Sequence, residues 1–334
     1  MTLEKLKKQG ILVSSLIPRV GLGCMGMSEF YGSNDENKNL EILDRAVEIG
    51  YRHFDTADMY GMGHNEELLG KFIKSHNRQD LFIASKFGIK RDPGDGLSRV
   101  VDGSRKYIRE AIYKSLDRLG VDYLDLYYVH RKDLSTPIEE TVSTLSELVS
   151  EGLIKGIGLC EVSIETYSKA LSVHPIAAVQ TEYSLLSKGP EDGILQMCKA
   201  NNTAFVAYSP MSRGLLTGEL TAETIKREGD ARQYLPRFSD ENIQKNLALI
   251  SSLKELAIAK NCTLAQIALS WVLHQDEHIH IIPGTRREKY LIDNFASLEV
   301  SLSKQELTEL QSHFSDESVS GGRYPEAAMT GINK

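Results

Sequence analysis

Long hydrophobic runs, a surplus of positive charge and closely spaced cysteines are all missing from this chain. No apolar stretch is long enough to span a bilayer, and the lysine-bearing start MTLEKLKKQG leads into no apolar stretch of signal-peptide length. Lys and Arg number 39 against 46 Asp and Glu, a formal charge of −7. That balance gives no electrostatic reason to bind nucleic acid or an anionic membrane. The four cysteines, Cys24, Cys160, Cys198 and Cys262, are scattered and form no C-x-x-C pair. Neither a zinc site nor a disulfide framework is expected, and reduced thiols fit a cytoplasmic protein. Low-complexity tracts and Pro/Gly/Ser-rich linkers are absent as well. What is present is ordinary globular material, 41% hydrophobic and 25% charged.

A strand-like apolar run followed by a helical pattern recurs along the chain. Strands are expected at 19–23, 51–55, 81–85, 123–130, 154–159, 176–180, 204–208 and 278–283. Several are continuously apolar, as strands covered on both faces should be. Between them, Ser33-Asn34-Asp35-Glu36 has capping-box form and opens a helix with Leu40, Leu43, Ala46 and Val47 on one face. A second helix starts after Ser104 and ends at Gly120, with further helices over 139–151, 165–173 and 192–201. About eight such units in tandem, with no antiparallel hairpins between them, predict a parallel sheet closed into an α/β (β/α)8 TIM barrel. Such a barrel accommodates all 334 residues as one domain. The excess over a minimal barrel lies in residues 3–16, read as a hairpin around Gln9-Gly10, in the stretch between Tyr208 and His278, and in the tail after Phe314. An open doubly wound sheet is the alternative.

Gly21-Leu22-Gly23-Cys24-Met25-Gly26 matches G-x-G-x-x-G, and Asp55 ends a later strand. A dinucleotide fold needs its helix to begin inside the glycine turn and its acid about 20 residues on. Here Ser28–Ser33 intervene and Asp55 stands 29 residues past Gly26. The segment is better read as a first strand-to-helix loop in which Gly23, Cys24 and Met25 let a cofactor or substrate approach the backbone.

Catalytic groups in such a barrel project from the C-terminal ends of strands. Those ends supply Asp55, with Tyr60 in the following loop, then Lys86, then His130. Each alone has a plain structural reading: a helix cap, loop packing, a solvated lysine, a core histidine. Together they make a proton donor for carbonyl reduction. A lysine beside the phenol is expected to lower its pKa, an aspartate keeps the lysine charged and oriented, and a neutral imidazole hydrogen-bonds the same carbonyl oxygen. No hydride source is among them, so a nicotinamide or flavin is required.

Read with Phe54–Gly61, Asn65–Gly70, Ser85-Lys86, Tyr127–Arg131, Gly156–Leu159, Gln180–Tyr183 and Tyr208-Ser209-Pro210, the chain resembles the aldo-keto reductases along essentially its whole length, closest to a pyridoxal-reductase-like branch. The resemblance implies a barrel that binds NADP(H), with NAD(H) left open, and Asp55, Tyr60, Lys86 and His130 as the catalytic set. It implies Cys160, Glu161 and Gln180 at the carboxamide, and Tyr208 stacked on the nicotinamide. Ser209, Pro210, Met211, Arg213, Gly214 and Leu215 would lie at the pyrophosphate. The same barrel in a non-catalytic NADP(H)-binding accessory or sensor protein is the alternative function.

For the adenosine end, Gly284, Thr285, Arg286 and Arg287 precede a helix carrying Asn294. Guanidinium forks there suit a 2′-phosphate, and Asn294 suits adenine. Gly284 stands where many relatives carry lysine, and Cys160 where serine is frequent. Met25, Met27, Phe30, Tyr31, Met59 and Phe87 are candidate walls of an apolar pocket. Arg131 is a candidate partner for an anionic substrate, though a pair with Asp133 is the simpler expectation. Gly321–Pro325 is expected to cover the pocket mouth. No metal is expected, the partner is a small carbonyl compound, and the oligomeric state is not readable.

Overall fold

The computed structural model describes residues 14–92, 95–326 and 332. Strands β1 (Gly21–Gly23), β2 (His53–Asp55), β3 (Phe82–Phe87), β4 (Ile89–Asp92), β5 (Asp95–Val101), β6 (Leu126–Val129), β7 (Ile157–Cys160), β8 (Ala178–Glu182), β9 (Ala204–Tyr208) and β10 (Ile279–Ile281) follow in chain order. Eight of them form one sheet in the order β1-β2-β3-β6-β7-β8-β9-β10, and every neighbouring pair is parallel. A parallel bridge from Val20 to Ile281 joins the last strand to the first. The sheet therefore closes into the barrel expected from the tandem pattern, and the open sheet is set aside. The hairpin expected around Gln9-Gly10 lies outside the described residues.

Side chains alternate across each strand, and this alternation sorts them into two cores. Ile83, Phe87, Tyr127, Val129, Ile157, Leu159, Val179, Phe205, Ala207, Ile279 and Ile281 point outward and pack with the helices. Phe82, Ala84, Leu126, Tyr128, Cys160, Ala178, Ala204, Val206 and Ile282 fill the barrel. Gly158 serves that interior. A Cβ there would lie 2.2 Å from the Tyr128 ring, so the missing side chain is what lets the tyrosine occupy the barrel.

Two local expectations are corrected. The helix Glu36–Ile49 is capped by Asp35, not Ser33: Asp35 is extended and its carboxylate accepts from Lys38 N at 3.2 Å. There is also an antiparallel hairpin, β4 with β5, pairing Ile89 with Val101 and Arg91 with Arg99. Asp92-Pro93-Gly94-Asp95 has turn composition and marks it in the sequence. The hairpin is an insertion after β3 and leaves the parallel ring intact. The stretch between β9 and β10 holds the helices Asp240–Ser251, Leu253–Ala259 and Leu264–Gln275. Among the described residues no single helix is long and apolar enough to cross a membrane.

Candidate active site

At the C-terminal rim the inward positions turn polar. Asp55 ends β2, Lys86 lies near the end of β3, His130 follows β6, Cys160 ends β7, Gln180 lies in β8 and Tyr208 ends β9. Tyr60 opens the turn Tyr60–Gly63 after β2. The four residues of the expected catalytic set meet here.

Lys86 is wholly buried and donates to Asp55 Oδ1, to Thr56 O at 2.8 Å and to Tyr60 Oη at 3.3 Å. The second Asp55 oxygen accepts from Gln180 Nε2 at 2.8 Å. Burial by itself would lower the lysine, but Asp55 and Tyr60 outweigh it, and the ammonium is held above its ordinary range. For Tyr60 the balance differs from the sequence expectation. Lys86 does pull the phenol down, yet burial wins and pushes it up to about 12. The hydroxyl is therefore protonated at neutral pH. It accepts from Lys86 and donates to no other described residue, so its proton is available. His130 stands edge-on to Tyr60, with ring centroids 5.8 Å apart and planes at 86°. Burial, then Lys86, Arg131 and Arg99, hold the imidazole well below its usual range and neutral. Its Nδ1 is buried without a partner.

Beside this centre, buried Glu161 accepts through Oε1 from Tyr208 Oη at 2.7 Å, from Glu182 N at 3.0 Å and from Arg323. Tyr208 Oη also meets Arg323 Nη2 at 3.1 Å and Tyr324 Oη at 3.2 Å, and Arg213 Nη2 donates to Tyr324 Oη at 2.7 Å. The C-terminal segment thus reaches the mouth as expected. Buried Glu182 pairs with three guanidiniums: Arg213 at 3.6 Å, Arg237 at 3.4 Å and Arg323 at 3.4 Å. Sequence reading missed the roles of Glu182, Arg237, Arg323 and Tyr324, because contacts separated by 55 residues for Arg237 and Glu182 and by 162 for Arg323 and Glu161 leave no local pattern. The Cys160 thiol is inward and pushed up to about 12 by burial, so it is no thiolate.

Three features fit a dinucleotide. Ser209, Ser212, Arg213 and Gly214 have φ of 47°, 46°, 57° and 95°, left-handed backbone in one loop with Pro210, Met211 and Leu215, where Ser212 N and Gly214 N donate to Ser209 O and Met211 O at 2.8 and 3.0 Å. Asn294 is buried with its Nδ2 unpartnered, an amide donor awaiting an acceptor. Arg287 lies over the Tyr290 ring at 5.7 Å, without an ion pair among the described residues. Arg286 is already engaged, donating to Ser33 O, Asn34 Oδ1 and Tyr31 O at 2.6–2.8 Å. Thr285 Oγ1 accepts from Arg287 N at 3.1 Å. A Cβ on Gly284 would stand 2.8 Å from Gly23 O, and one on Gly23 would stand 2.8 Å from Ile282 O. Cys24 is buried and donates to Leu22 O at 3.4 Å.

Of the expected pocket walls, Met25 and Met59 pack with Tyr60, Ala57 and Ile89. Met27 and Phe87 do not face the pocket. Both are wholly buried in the outer core, Phe87 against Tyr127 with centroids 4.9 Å apart. Arg131 does not pair with Asp133, whose oxygens accept from Gly103 N, Ser135 N, Ser135 Oγ and Thr136 Oγ1.

Comparison with known proteins gives a consistent picture. The model of the Aldo/keto reductase family matches residues 19–314. The aldo-keto reductase yakc [NADP(+)] of Schizosaccharomyces pombe is 41% identical over 321 residues, covering 95% of this chain and 94% of the relative. Among solved structures, the glycerol dehydrogenase AKR11B4 from Gluconobacter oxydans superposes with a TM-score of 0.80 at 28% identity, covering 89% of this chain and 91% of that one. An aldo/keto reductase from Klebsiella pneumoniae, solved with NADP and acetate, superposes with a TM-score of 0.70 at 26% identity, covering 94% and 98%.

Proposed function

Because the chain belongs to the aldo/keto reductase family, we propose that it reduces aldehydes or ketones to alcohols with NADP(H), using Asp55, Tyr60, Lys86 and His130. The whole chain, 1–334, is read as one barrel domain working in the cytoplasm. The observation that carries the reading is the Lys86 ammonium shared between Asp55 and Tyr60, with His130 edge-on to the phenol.

The dinucleotide, when bound, supplies the hydride, and no side chain of the protein does. Its holders would be the Ser209–Leu215 loop, Tyr208, Glu161, Cys160 and Gln180 at one end, and Thr285, Arg287 and Asn294 at the other. Gly23, Cys24, Met25 and Gly284 form the adjoining backbone. Arg286 would contribute indirectly, by fixing the 31–34 loop beside them.

The protein's own task is the proton. Tyr60 stays protonated and donates its hydroxyl hydrogen to the carbonyl oxygen. Lys86 stabilises the oxygen left behind, because its charge is fixed by Asp55. The neutral His130 imidazole donates a hydrogen bond to the same carbonyl oxygen and fixes its position. Burial of the group excludes water, which strengthens each of these interactions.

The test follows NADPH and NADH oxidation separately over a panel of aldehydes and ketones. Tyr60→Phe should lower turnover by about 10²–10⁴-fold while NADPH affinity holds. Wild-type activity in that variant would overturn the proton-donor assignment. Tight NADPH binding with no turnover on any carbonyl would favour the accessory or sensor reading instead.

A further inference from the structure

Two guanidiniums bear on His130, and neither forms an ion pair among the described residues. Arg131 directly follows His130, is half-buried, and donates through Nη1 to the His130 carbonyl oxygen at 2.7 Å. It forms no ion pair among the described residues, and Asp133, the acid nearest in sequence, is saturated by four donors. The charged and polar groups that act on Arg131 are Tyr208, Tyr324, Glu161 and Cys160. These sit at the ends of β9 and β7 and on the C-terminal segment, so the charge of Arg131 is felt by the groups that line the mouth. Glu161 is itself already taken by Arg323 and Tyr208. Arg99 approaches from the hairpin, opposite Arg91 in register. Arg91 is spent on Glu29 at 2.6 Å, whereas Arg99 is exposed and forms no ion pair among the described residues. The root of the hairpin packs on the backbone of Arg131: a Cβ on Gly88 would stand 3.4 Å from Arg131 O.

A half-buried guanidinium without a carboxylate is an incomplete pair. We propose that Arg131, supported by Arg99, binds an anionic group of the substrate, so that the site prefers carbonyl compounds bearing a carboxylate or a phosphate over their neutral analogues. This rests on the reading of the site as a carbonyl reductase. With Nη1 held by the His130 carbonyl, the rest of the fork remains to grip two oxygens side by side. The same anchoring hydrogen bond fixes Arg131 next to His130, so an anion held there places the attached carbonyl near Tyr60. Glu161 and Glu182 do not oppose the anion, because Arg213, Arg237 and Arg323 neutralise them.

The experiment compares matched substrates: 4-carboxybenzaldehyde with methyl 4-formylbenzoate, and pyridoxal 5′-phosphate with pyridoxal. The readout is the ratio of kcat/KM, anionic over neutral, in wild type, Arg131→Met, Arg131→Lys and Arg99→Gln. Any general damage transmitted through His130 cancels in that ratio. In Arg131→Met the ratio should fall about tenfold or more for at least one pair, through KM. Arg131→Lys should recover part of it, and Arg99→Gln should lower it less and in a salt-dependent way. The pair that responds tells carboxylate from phosphate. A ratio that changes less than about fivefold for both pairs in Arg131→Met overturns the proposal. If none of the four carbonyls is reduced, the reductase reading fails instead. Calorimetric binding of 4-(hydroxymethyl)benzoate and its methyl ester to wild type and Arg131→Met, with NADP+ present, then decides the anion site by the same ratio.

Discussion

At the scale of single residues, the candidate chemistry turns on which of two opposed effects prevails at Tyr60. Lys86 pulls the phenol down and burial pushes it up, and burial prevails. The sign for activity follows. A donor raised to about 12 stays loaded until pH approaches that value. A histidine held low stays neutral until pH falls well below its ordinary value. Carbonyl reduction should therefore show no loss from either group between about pH 6 and 9, measured as kcat against pH at saturating substrate. A bell with a limb near neutrality would show that one of them titrates where the structure says it does not. Arg287→Gln should raise the KM for NADPH about tenfold and leave that for NADH within about twofold, since only the former carries a 2′-phosphate. The meeting of Asp55, Tyr60, Lys86 and His130 was legible because strand ends and chain order are visible in a sequence. The direction of the phenol's shift was not, because burial is a property of the assembled barrel. Phe87 was misread as a pocket wall although it follows Lys86, and adjacent strand residues face opposite sides.

At the scale of elements, the C-terminal segment and the loops around β8 are tied together through one carboxylate. Glu182 serves Arg213, Arg237 and Arg323, and Arg237 also donates to Ser187 Oγ at 2.8 Å and to Leu186 O. Removing one arginine leaves Glu182 paired with two, whereas removing the carboxylate leaves Arg213 and Arg237 without an acid beside Arg323, which keeps Glu161. Glu182→Gln should cost about 3–5 kcal/mol in urea unfolding, and Arg323→Gln less than half of that. Equal costs would mean that the arginines are held by their other partners. A second expectation concerns β6 and β7. Gly158→Ala puts a methyl into the Tyr128 ring and should destabilise by about 1–3 kcal/mol, and pairing it with Tyr128→Phe should bring no relief because the ring stays. Elements with a strong period and a cap, such as the helix after Ser104, were legible in the sequence. The hairpin at 89–101 was not, because its turn composition sits where a strand-to-helix loop was already expected. The Glu182 cluster left no trace, since Glu182 and Arg323 meet only through the closed ring.

For the molecule as a whole, closure of the barrel is what the tandem strand–helix pattern foretold, and closure has a consequence at the end opposite the site. His53 and His280 point into the barrel there, both buried, and burial holds each down to about 3. His53 has no partner on either ring nitrogen, while His280 has Pro18 O at 3.2 Å on Nδ1. Each is neutral when folded and takes a proton near its ordinary value of 6.5 when unfolded. The unfolded chain thus binds more protons throughout the interval between those values. The stability these histidines contribute is full above about 6.5 and is lost as pH falls toward about 3. Each should cost about 2 kcal/mol between pH 7 and pH 5, at about 1.4 kcal/mol per pH unit below the unfolded value. Urea unfolding at the two pH values measures this directly. In His53→Leu the drop should shrink by about 2 kcal/mol whatever that substitution does to stability at pH 7, because a side chain that cannot bind a proton has removed one linked site. A drop of the same size as in wild type would place the acid sensitivity elsewhere. The barrel interior would then have to admit a charged imidazole at His53, which its packing between the Gly21 backbone and the Phe82 ring does not allow.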